Sequence, residues 1–442
     1  MEERLYQRRA LDGCRAAYGR GARRVLLVSP TGSGKTTMAS QVVKGAVAKG
    51  RRVLWLAHRD ELIAQAHERI SQEGIACGYV KAGRPSAPEL PVQVASVQTL
   101  ASRGVPGGPW GLMVIDEAHR TRAATYEEII RVVGNATPIL GLTATPWRSD
   151  GLGLGDAYQE SILAATPAEL IASGHLVGYD GFTFETPDGK GVLGDIAAKY
   201  IEHAAGRRAV AFAINVAHSK AIVAEFLAAD ISAEHLDGMT ASEERKGILS
   251  RLASGETLVV SNVGVLCEGW DCPLAEVAIV ARSIGKKATS LWLQMIGRVM
   301  RPARGKTRAR IHDHGGNIAV HGLPDEKRDY SLTSDVTKRK RKDAVISLRN
   351  CRGCFASWAP PPVACPRCGW CLPAEEIEML SESDGRVVTI ENVKLRAWMQ
   401  MEAQRVKRNY KPLWSQLEFR KKHGHFPPVE WLGAGVQRAI GL

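Results

Sequence analysis

The sequence predicts an α/β fold with two tandem lobes, each built on a doubly wound parallel sheet. Short apolar segments alternate with helix-compatible stretches, first over residues 1–176 and again over 177–332. Such alternation is typical of parallel sheets covered by helices on both faces. In addition, polar residues follow several of the predicted strands directly. Because ligands bind at the carboxyl edge of open parallel sheets, these residues are candidates for a functional site.

Length and composition limit the class of protein. A chain of 442 residues with 45% hydrophobic and 24% charged residues is typical of a soluble protein with two or three domains. The formal charge of +13 favours a polyanionic partner, most often nucleic acid. No apolar run approaches the length of a membrane span, and the charged residues 1–4 do not begin a signal peptide. We therefore expect a cytoplasmic protein without a membrane partner.

Residues 29–36 form the clearest motif, and the rest of the chain is interpreted around it. They lie between an apolar strand, 25–28, and a stretch that suits a helix, and they match G-x-x-x-x-G-K-[ST] with Ser29 at the first glycine. Glycines allow backbone N–H groups to surround phosphate oxygens, Lys35 adds a positive charge, and the Thr36 hydroxyl can bind Mg²⁺. The motif predicts a site for a nucleoside triphosphate.

An acidic pair follows the strand predicted over 110–115. Asp116 can hold the Mg²⁺ that bridges the phosphates, and Glu117 can orient or deprotonate the attacking water. In the second lobe, Gln294, Arg298 and Arg301 have the spacing of one helical face. Two guanidiniums on that face would suit a triphosphate held by the first lobe, where an arginine finger contributes roughly 10³ to 10⁵ in rate.

These segments, with others in the same order, resemble superfamily two helicases of the DEAD/DEAH group. The resemblance covers about residues 1–310 and rests on these motifs: 6–7 (Q-motif), 29–36 (I), 57–62 (Ia), 97–100 (its neighbour), 116–119 (II, in the DEAH form), 143–145 (III), 213–215 (IV), 262–271 (V) and 294–301 (VI). It implies two RecA-like lobes, ATP in the cleft between them, and a single nucleic-acid strand held across both.

The resemblance also implies roles for individual residues. The residues expected to contact ATP are Tyr6, Gln7, Thr31, Gly32, Ser33, Gly34, Lys35, Thr36, Gly269 and Asp271. Catalytic roles are implied for Lys35, Asp116, Glu117, Gln294, Arg298 and Arg301, and Thr36 and Asp116 are the expected Mg²⁺ ligands. Contacts to the strand are implied for His58, Arg59, Gln98, Thr99, Asn215 and Asn262, and coupling roles for His119, Thr143 and Thr145.

Two segments narrow the resemblance to RadD-like bacterial and phage helicases. Residues 313–317 and 321–324 match segments of those proteins, and so does the lysine-rich end of the chain. The histidines and aspartate within 311–324 fit no standard zinc spacing, so we favour a structural turn or an interdomain contact there. The basic run 338–342 lies in a predicted linker, 333–348, and could contact phosphates.

The cysteines are unevenly distributed, with five of the nine between 351 and 371. Cys351-x₂-Cys354 and Cys365-x₂-Cys368 are separated by ten residues, and paired CxxC turns supply the tetrahedral thiolates that zinc prefers. We predict a structural zinc ribbon over 349–376, with Cys371 as an alternative ligand, followed by a basic helical accessory tail over 377–442.

The sequence thus predicts an ATPase that moves on single-stranded or forked DNA, with ATP, Mg²⁺ and Zn²⁺ as cofactors. The expected pathway is repair, recombination or phage replication, with a single-strand-binding or repair protein as a possible partner and a monomeric state. Three alternatives stay open. The chain could be an RNA helicase, a double-strand translocase of a restriction-like system, or a nucleic-acid-binding ATPase switch that does not unwind.

Overall fold

The first lobe is a seven-stranded, entirely parallel sheet with helices on both faces. The computed structural model describes residues 4–148, 150–184, 196–267, 269–334, 349–351, 354–358, 364–370, 405 and 413–423. The lobe contains α1 (Leu5–Gly19), β1 (Arg24–Val28), α2 (Lys35–Val47), β2 (Val53–Ala57), α3 (Asp60–Gln72), β3 (Cys77–Val80), β4 (Val92–Ser96), α4 (Val97–Arg103), β5 (Leu112–Ile115), a 3₁₀ turn (Ala118–Arg120), α5 (Ala124–Val133), β6 (Ile139–Thr143), β7 (Glu160–Leu163) and α6 (Pro167–Ala172).

The strand order β3-β4-β2-β5-β6-β1-β7 sets the positions of the site residues. Strand β6 lies between β1 and β5, and all three run parallel. The phosphate loop after β1 and the acidic pair after β5 therefore emerge at one edge, with the Thr143 segment between them. The central strands β2, β4, β5 and β6 are fully buried because helices pack two apolar clusters against the opposite faces of the sheet.

The second lobe repeats this architecture. It contains β8 (Gly178–Thr183), α7 (Ile196–Ala204), β9 (Ala209–Phe212), α8 (Val216–Ala228), β10 (Ala233–Leu236), α9 (Ser242–Ser254), β11 (Val259–Asn262), β12 (Val277–Val280), α10 (Thr289–Gly297), β13 (Arg308–Asp313), α11 (Asn317–His321), β14 (Arg349–Asn350) and β15 (Ala356–Trp358). The order is β10-β11-β9-β12-β13-β8-β15-β14. Six strands are parallel, and β15 and β14 extend the sheet antiparallel beyond β8.

Both sheets belong to one compact unit, residues 1–339 with 348–358. The predicted fold class of two doubly wound α/β lobes is therefore confirmed. A second unit contains the described helix α12 (Leu413–His423). The basic run 338–342, Cys371 and most of the tail lie outside the described residues. None of the described helices is long and apolar enough to cross a membrane.

Two strand boundaries differ from the sequence prediction. The apolar pattern of residues 92–97 predicts a strand over all six positions, but β4 ends at Ser96, whose Oγ accepts a hydrogen bond from the Thr99 N–H and so begins α4. The strand predicted from residue 110 starts only at Leu112. The Trp110 indole instead donates to the Pro106 carbonyl at 3.2 Å, which ties this residue to the preceding loop. In both cases a side chain at the strand boundary bonds to the backbone of the neighbouring turn or loop.

Candidate active site

The phosphate loop is a tight turn between β1 and α2. Gly32 and Gly34 both have φ of +84°, in the left-handed region that favours glycine. A Cβ at Gly34 would also come within 2.7 Å of the Gln7 amide nitrogen, so the position is closed to larger residues. The Lys35 ammonium folds back and donates to the Ser29 carbonyl at 3.0 Å and the Pro30 carbonyl at 3.4 Å. Its charge thus lies inside the loop.

Burial lowers the pKa of the Lys35 ammonium, and the nearby carboxylates of Glu117 and Asp116 oppose that shift. Both acids follow β5 and are only 6% and 5% exposed. The Glu117 backbone N–H donates to Asp116 Oδ1 at 2.9 Å, which fixes the Asp116 carboxylate relative to the Glu117 backbone. Glu117 itself has φ of +51° and ψ of +53°, an uncommon conformation for a residue with a side chain. The strand end thus presents two buried acids beside a buried cation.

Residues of the second lobe approach this pair directly. The Gln294 amide donates to Glu117 Oε2 at 3.4 Å, and the His119 imidazole lies 3.3 Å from the same oxygen. Arg301 lies over the phosphate loop, since a Cβ on Gly32 would meet its Cγ at 2.9 Å. Glu117 is therefore contacted from both lobes.

The prediction that residues 294, 298 and 301 lie on one face of a single helix is wrong, because the helix ends before residue 301. Helix α10 ends at Gly297, Arg298 is its C-cap, and Arg301 lies in the following turn. The Arg298 guanidinium donates to the Cys267 carbonyl at 2.8 and 3.1 Å and to the Trp270 carbonyl at 2.7 Å. Arg301 forms an ion pair with Asp271. Both arginines thus fix the loop 267–271 next to the cleft.

These residues enclose a cavity of about 470 Å³ between the lobes. Of the predicted ATP and catalytic residues, eleven line it: Thr31, Gly32, Gly34, Lys35, Thr36, Asp116, Glu117, Gly269, Asp271, Arg298 and Arg301. One polar face of α3, which the motifs did not predict, also lines the cavity. It is formed by Gln65, Glu68, Arg69 and Gln72. Their spacing is that of one helical stripe, but nothing in the motif pattern indicated that this stripe faces the cleft.

Tyr6 and Gln7 lie outside the lining of the cavity. The Tyr6 hydroxyl donates to the Ser33 carbonyl at 2.6 Å, and the Gln7 amide donates to the same oxygen at 3.2 Å. The Tyr6 ring also contacts the His175 ring, with centroids 5.3 Å apart. The start of α1 is thereby attached to the back of the phosphate loop.

The residues predicted to contact a nucleic-acid strand lie at strand ends, in different environments. Gln98 is exposed and donates to the His58 carbonyl at 3.0 Å, whereas Thr99 is buried. Arg59 donates to the carbonyls of Gly264 and Val265, at 3.2 and 3.0 Å, and so bridges the two lobes.

In the second lobe, Asn215 is exposed and caps α8 by accepting from the His218 N–H at 2.9 Å. Asn262 has no exposed surface. Its amide donates to the Ala211 carbonyl at 2.9 Å and accepts from the Leu266 N–H at 3.1 Å. Asn262 therefore orders the loop after β11 from beneath instead of facing solvent.

The candidate coupling residues form a second link between the lobes. The Thr143 hydroxyl donates to the Thr145 carbonyl at 2.7 Å, and the Thr145 hydroxyl donates to Ser290 Oγ on α10 at 2.6 Å. Further links that the sequence analysis missed join α3 to the second lobe. Gln65 donates to the Gly269 carbonyl at 2.8 Å, and Glu61 pairs with Arg245 at 2.8 Å.

The segment 311–324 has a structural role, as favoured from the sequence. Asp313 is fully buried, and its carboxylate accepts from the N–H groups of Gly315 and Ile318 and from the Asn317 amide. Asn317 in turn donates to the Arg282 carbonyl at 2.9 Å. These bonds fasten the turn after β13 to the loop after β12.

The four predicted zinc ligands come together. The sulfur atoms of Cys351, Cys354, Cys365 and Cys368 all lie within 4.8 Å of one another, the only such group among the described residues. Tetrahedral zinc with Zn–S bonds of about 2.3 Å requires sulfurs slightly less than 4 Å apart, so the cluster fits zinc after a small contraction. The Cys354 N–H also points to the Cys351 sulfur at 3.3 Å, a contact that stabilises a thiolate.

Comparisons with known proteins agree with this geometry. Residues 1–148 match the family model described as "Type III restriction enzyme, res subunit", and residues 193–303 match "Helicase conserved C-terminal domain". A 51.5 kDa protein of a Lactococcus phage is 31% identical over 394 residues, 84% of each chain. A protein of Schizosaccharomyces pombe named as a mitochondrial ATP-dependent helicase, irc3, is 30% identical over 79% of this chain and 63% of its own length.

Among solved structures, the DNA-bound ATP-dependent type ISP restriction-modification enzyme LlaBIII aligns with a TM-score of 0.56 at 18% identity. It covers 71% of this chain and 28% of its own. That similarity concerns the fold alone.

The two lobes and the cleft define an ATP-dependent helicase of superfamily two, a class that hydrolyses ATP and binds nucleic acid. Within it, the chain belongs to the same family as the Lactococcus phage protein.

Proposed function

We propose that this helicase is a DNA motor of the RadD-like type. ATP would bind in the cleft, hydrolysis would open and close it, and the lobes would shift their grip on a single strand by a step each cycle. The proposed domains are 1–176 and 177–332 for the motor, 333–348 for a linker, 349–376 for a zinc ribbon and 377–442 for an accessory tail.

One observation carries the proposal. The Gln294 amide from the second lobe reaches the Glu117 carboxylate of the first at 3.4 Å, while Arg301 lies over Gly32. Hydrolysis in such a site requires both lobes, since neither lobe alone supplies the acids and the arginines. ATP turnover is thereby tied to lobe closure, which is the requirement for converting hydrolysis into movement.

Each residue of the cleft then has a task. Lys35 and the N–H groups of the phosphate loop would bind the β- and γ-phosphates. Thr36 and Asp116 would hold Mg²⁺, which neutralises phosphate charge. Glu117 would orient the attacking water, and Arg298 and Arg301 would stabilise charge on the γ-phosphate during hydrolysis. Because Arg298 now holds the carbonyls of residues 267 and 270, its use on ATP requires a local rearrangement of that loop.

For the nucleic acid, His58, Arg59, Gln98 and Asn215 are the proposed backbone contacts, with Thr99 and Asn262 supporting the loops that carry them. DNA is favoured over RNA because the matching family model is named for a restriction-enzyme subunit. The net charge of +13 suits either polymer. We further propose a cytoplasmic monomer that acts in repair, recombination or phage replication.

Strand displacement tests the proposal. Duplexes with a 3′ tail, a 5′ tail, a fork or an RNA strand, and a duplex that carries a third, triplex-forming strand, are incubated with ATP and Mg²⁺. Lys35→Ala is the inactive control. We expect release of labelled DNA from tailed or forked substrates. Preferential release from RNA strands would indicate an RNA helicase. Triplex displacement without strand separation would indicate a double-strand translocase, and turnover without movement would indicate a switch.

A further inference from the structure

The chain that leaves the second lobe returns to the first. After α11, residues 324–334, called the strap below, run back to the segment that follows β6. The Gly155 N–H donates to the Leu332 carbonyl at 3.0 Å. A Cβ on Gly153 would lie 2.0 Å from that carbonyl oxygen, so only glycine permits the contact. The two backbones therefore touch directly.

Side chains fasten the strap further. The Trp147 indole is 1% exposed and donates to Ser334 Oγ at 2.6 Å, and its ring stacks on Tyr330 with centroids 5.4 Å apart. Tyr330 and Leu332 also pack against the apolar cluster on one face of the first sheet. At the start of the strap, the Arg328 guanidinium donates to four backbone carbonyls of residues 321–326, which fixes the exit from the second lobe.

The docking site lies next to the ATP-site elements. Trp147 comes two residues after Thr145, whose hydroxyl bonds to Ser290 of the second lobe. Tyr330 and Pro324 line a small apolar cavity of about 30 Å³ together with Pro30 and Thr31 of the phosphate loop. The strap and the phosphate loop thus line the same small cavity, next to the candidate ATP site.

We propose that the strap is a restraint on lobe opening, in which Trp147, Tyr330 and Ser334 are positioning residues for the cleft. The second lobe is attached to the first at its entrance, through residues 164–178, and again at its exit. Two attachments limit how far the lobes can separate and lower the entropic cost of bringing Arg298 and Arg301 back to the phosphate loop. The kinetic part of this inference rests on the proposed function, whereas the restraint itself does not.

Hydrogen exchange followed by mass spectrometry on the full chain tests the restraint. Ser334→Ala removes the bond from the Trp147 indole and also the bond that the Ser334 hydroxyl donates to the Ser331 carbonyl at 2.8 Å. Trp147→Phe removes the first of these bonds and part of the ring that stacks on Tyr330. Thr333→Ala is the matched control, since Thr333 is exposed and its hydroxyl approaches only Ser331 within the described contacts. We expect exchange to rise roughly fivefold, the effect of one buried hydrogen bond, in peptides of the strap and also in 289–297 and 29–36.

The effect of the double variant should be smaller than the sum of the two single effects, since the two changes share the bond between Trp147 and Ser334. The KM for ATP should rise several-fold with kcat within twofold, because closure becomes costlier while the closed site is unchanged. Peptides of β9 and β11 serve as an internal reference for global unfolding. Faster exchange confined to the strap and its docking site, or an equal effect of Thr333→Ala, would overturn the restraint. Absence of stimulation by DNA in the unchanged protein would refute the motor and leave the exchange result standing.

Discussion

Gln294 on the second lobe donates to the Glu117 carboxylate on the first, with Nε2 3.4 Å from Oε2. Both side chains are almost completely buried, at 3% and 6% exposure. A buried carboxylate is stable only when neighbouring groups donate to it, and here part of that donation crosses the cleft. The stabilisation of the Glu117 carboxylate therefore depends on the position of the second lobe relative to the first.

The first prediction concerns this contact. Gln294→Ala should lower kcat for ATP hydrolysis roughly tenfold or more, the effect of losing a hydrogen bond to a charged group. ATP affinity should change little, because Gln294 does not line the cavity. Steady-state kinetics and nucleotide titration measure the two quantities. Gln72→Ala is the matched control, since Gln72 lines the cavity but contacts only its own helix among the described residues. Equal kinetics for the two variants would contradict the role of the contact.

The second prediction concerns Arg298. Its planar guanidinium bonds to two carbonyls of the loop 267–271, a geometry that an ammonium does not reproduce. Arg298→Lys should therefore reduce kcat by roughly 10³-fold, the lower range for an arginine finger. Exchange of the loop amides should rise at the same time. Arg131→Lys, on the far helix α5, should have neither effect. A kcat of Arg298→Lys within twofold of that of the unchanged protein would contradict the proposed role of Arg298 in hydrolysis.

The third prediction concerns pH. Burial lowers the pKa of the Lys306 ammonium to about 8, although it donates to the carbonyls of Pro273 and Ala275. The unfolded chain, with its ordinary lysine pKa near 10.4, binds more protons above pH 8. The contribution of Lys306 to the free energy of unfolding therefore becomes more favourable as pH rises from about 8 to about 10.4.

This slope is measured as the difference in thermal midpoint between the unchanged protein and Lys306→Met at each pH. The difference should grow in favour of the unchanged protein across that interval. Lys327→Met, at an exposed position, is measured in the same way as the control for removing one lysine charge. Parallel profiles for the unchanged protein and Lys306→Met would show that the pKa of Lys306 is not lowered.

The fourth prediction concerns the cysteine cluster. The purified protein should contain one zinc per chain by elemental analysis, and Cys368→Ser should lose it. Cys371→Ser should keep it, because the four clustered sulfurs already supply the four ligands that tetrahedral zinc requires. Loss of zinc in Cys371→Ser with retention in Cys368→Ser would mean that the ligand set is shifted along the chain.

The sequence predicted the parts of the fold that depend on local pattern. The apolar run 25–28 gave a strand at the expected position, and the glycines of the phosphate loop required the turn that is present. The four cysteines were also recognisable, because zinc ligands of this type have fixed spacing.

The remaining features depend on distant partners. The direction in which Asn262 points is set by its place in the sheet, and its partners lie in other segments. Arg301 departs from the helix because α10 ends at Gly297, where the chain turns against Thr31 of the other lobe. The contacts of Ser290 and Gln65 join residues that are far apart in sequence, and no local pattern specifies them.

We propose that ATP hydrolysis in the cleft drives movement on nucleic acid. ATP turnover with and without single-stranded DNA, in the unchanged protein and in Lys35→Ala, tests it most directly. We expect DNA to raise turnover several-fold in the unchanged protein, and no turnover in the variant. ATP turnover that does not change when DNA is added, or that persists in Lys35→Ala, would contradict the proposal that this cleft is the site of a nucleic-acid motor.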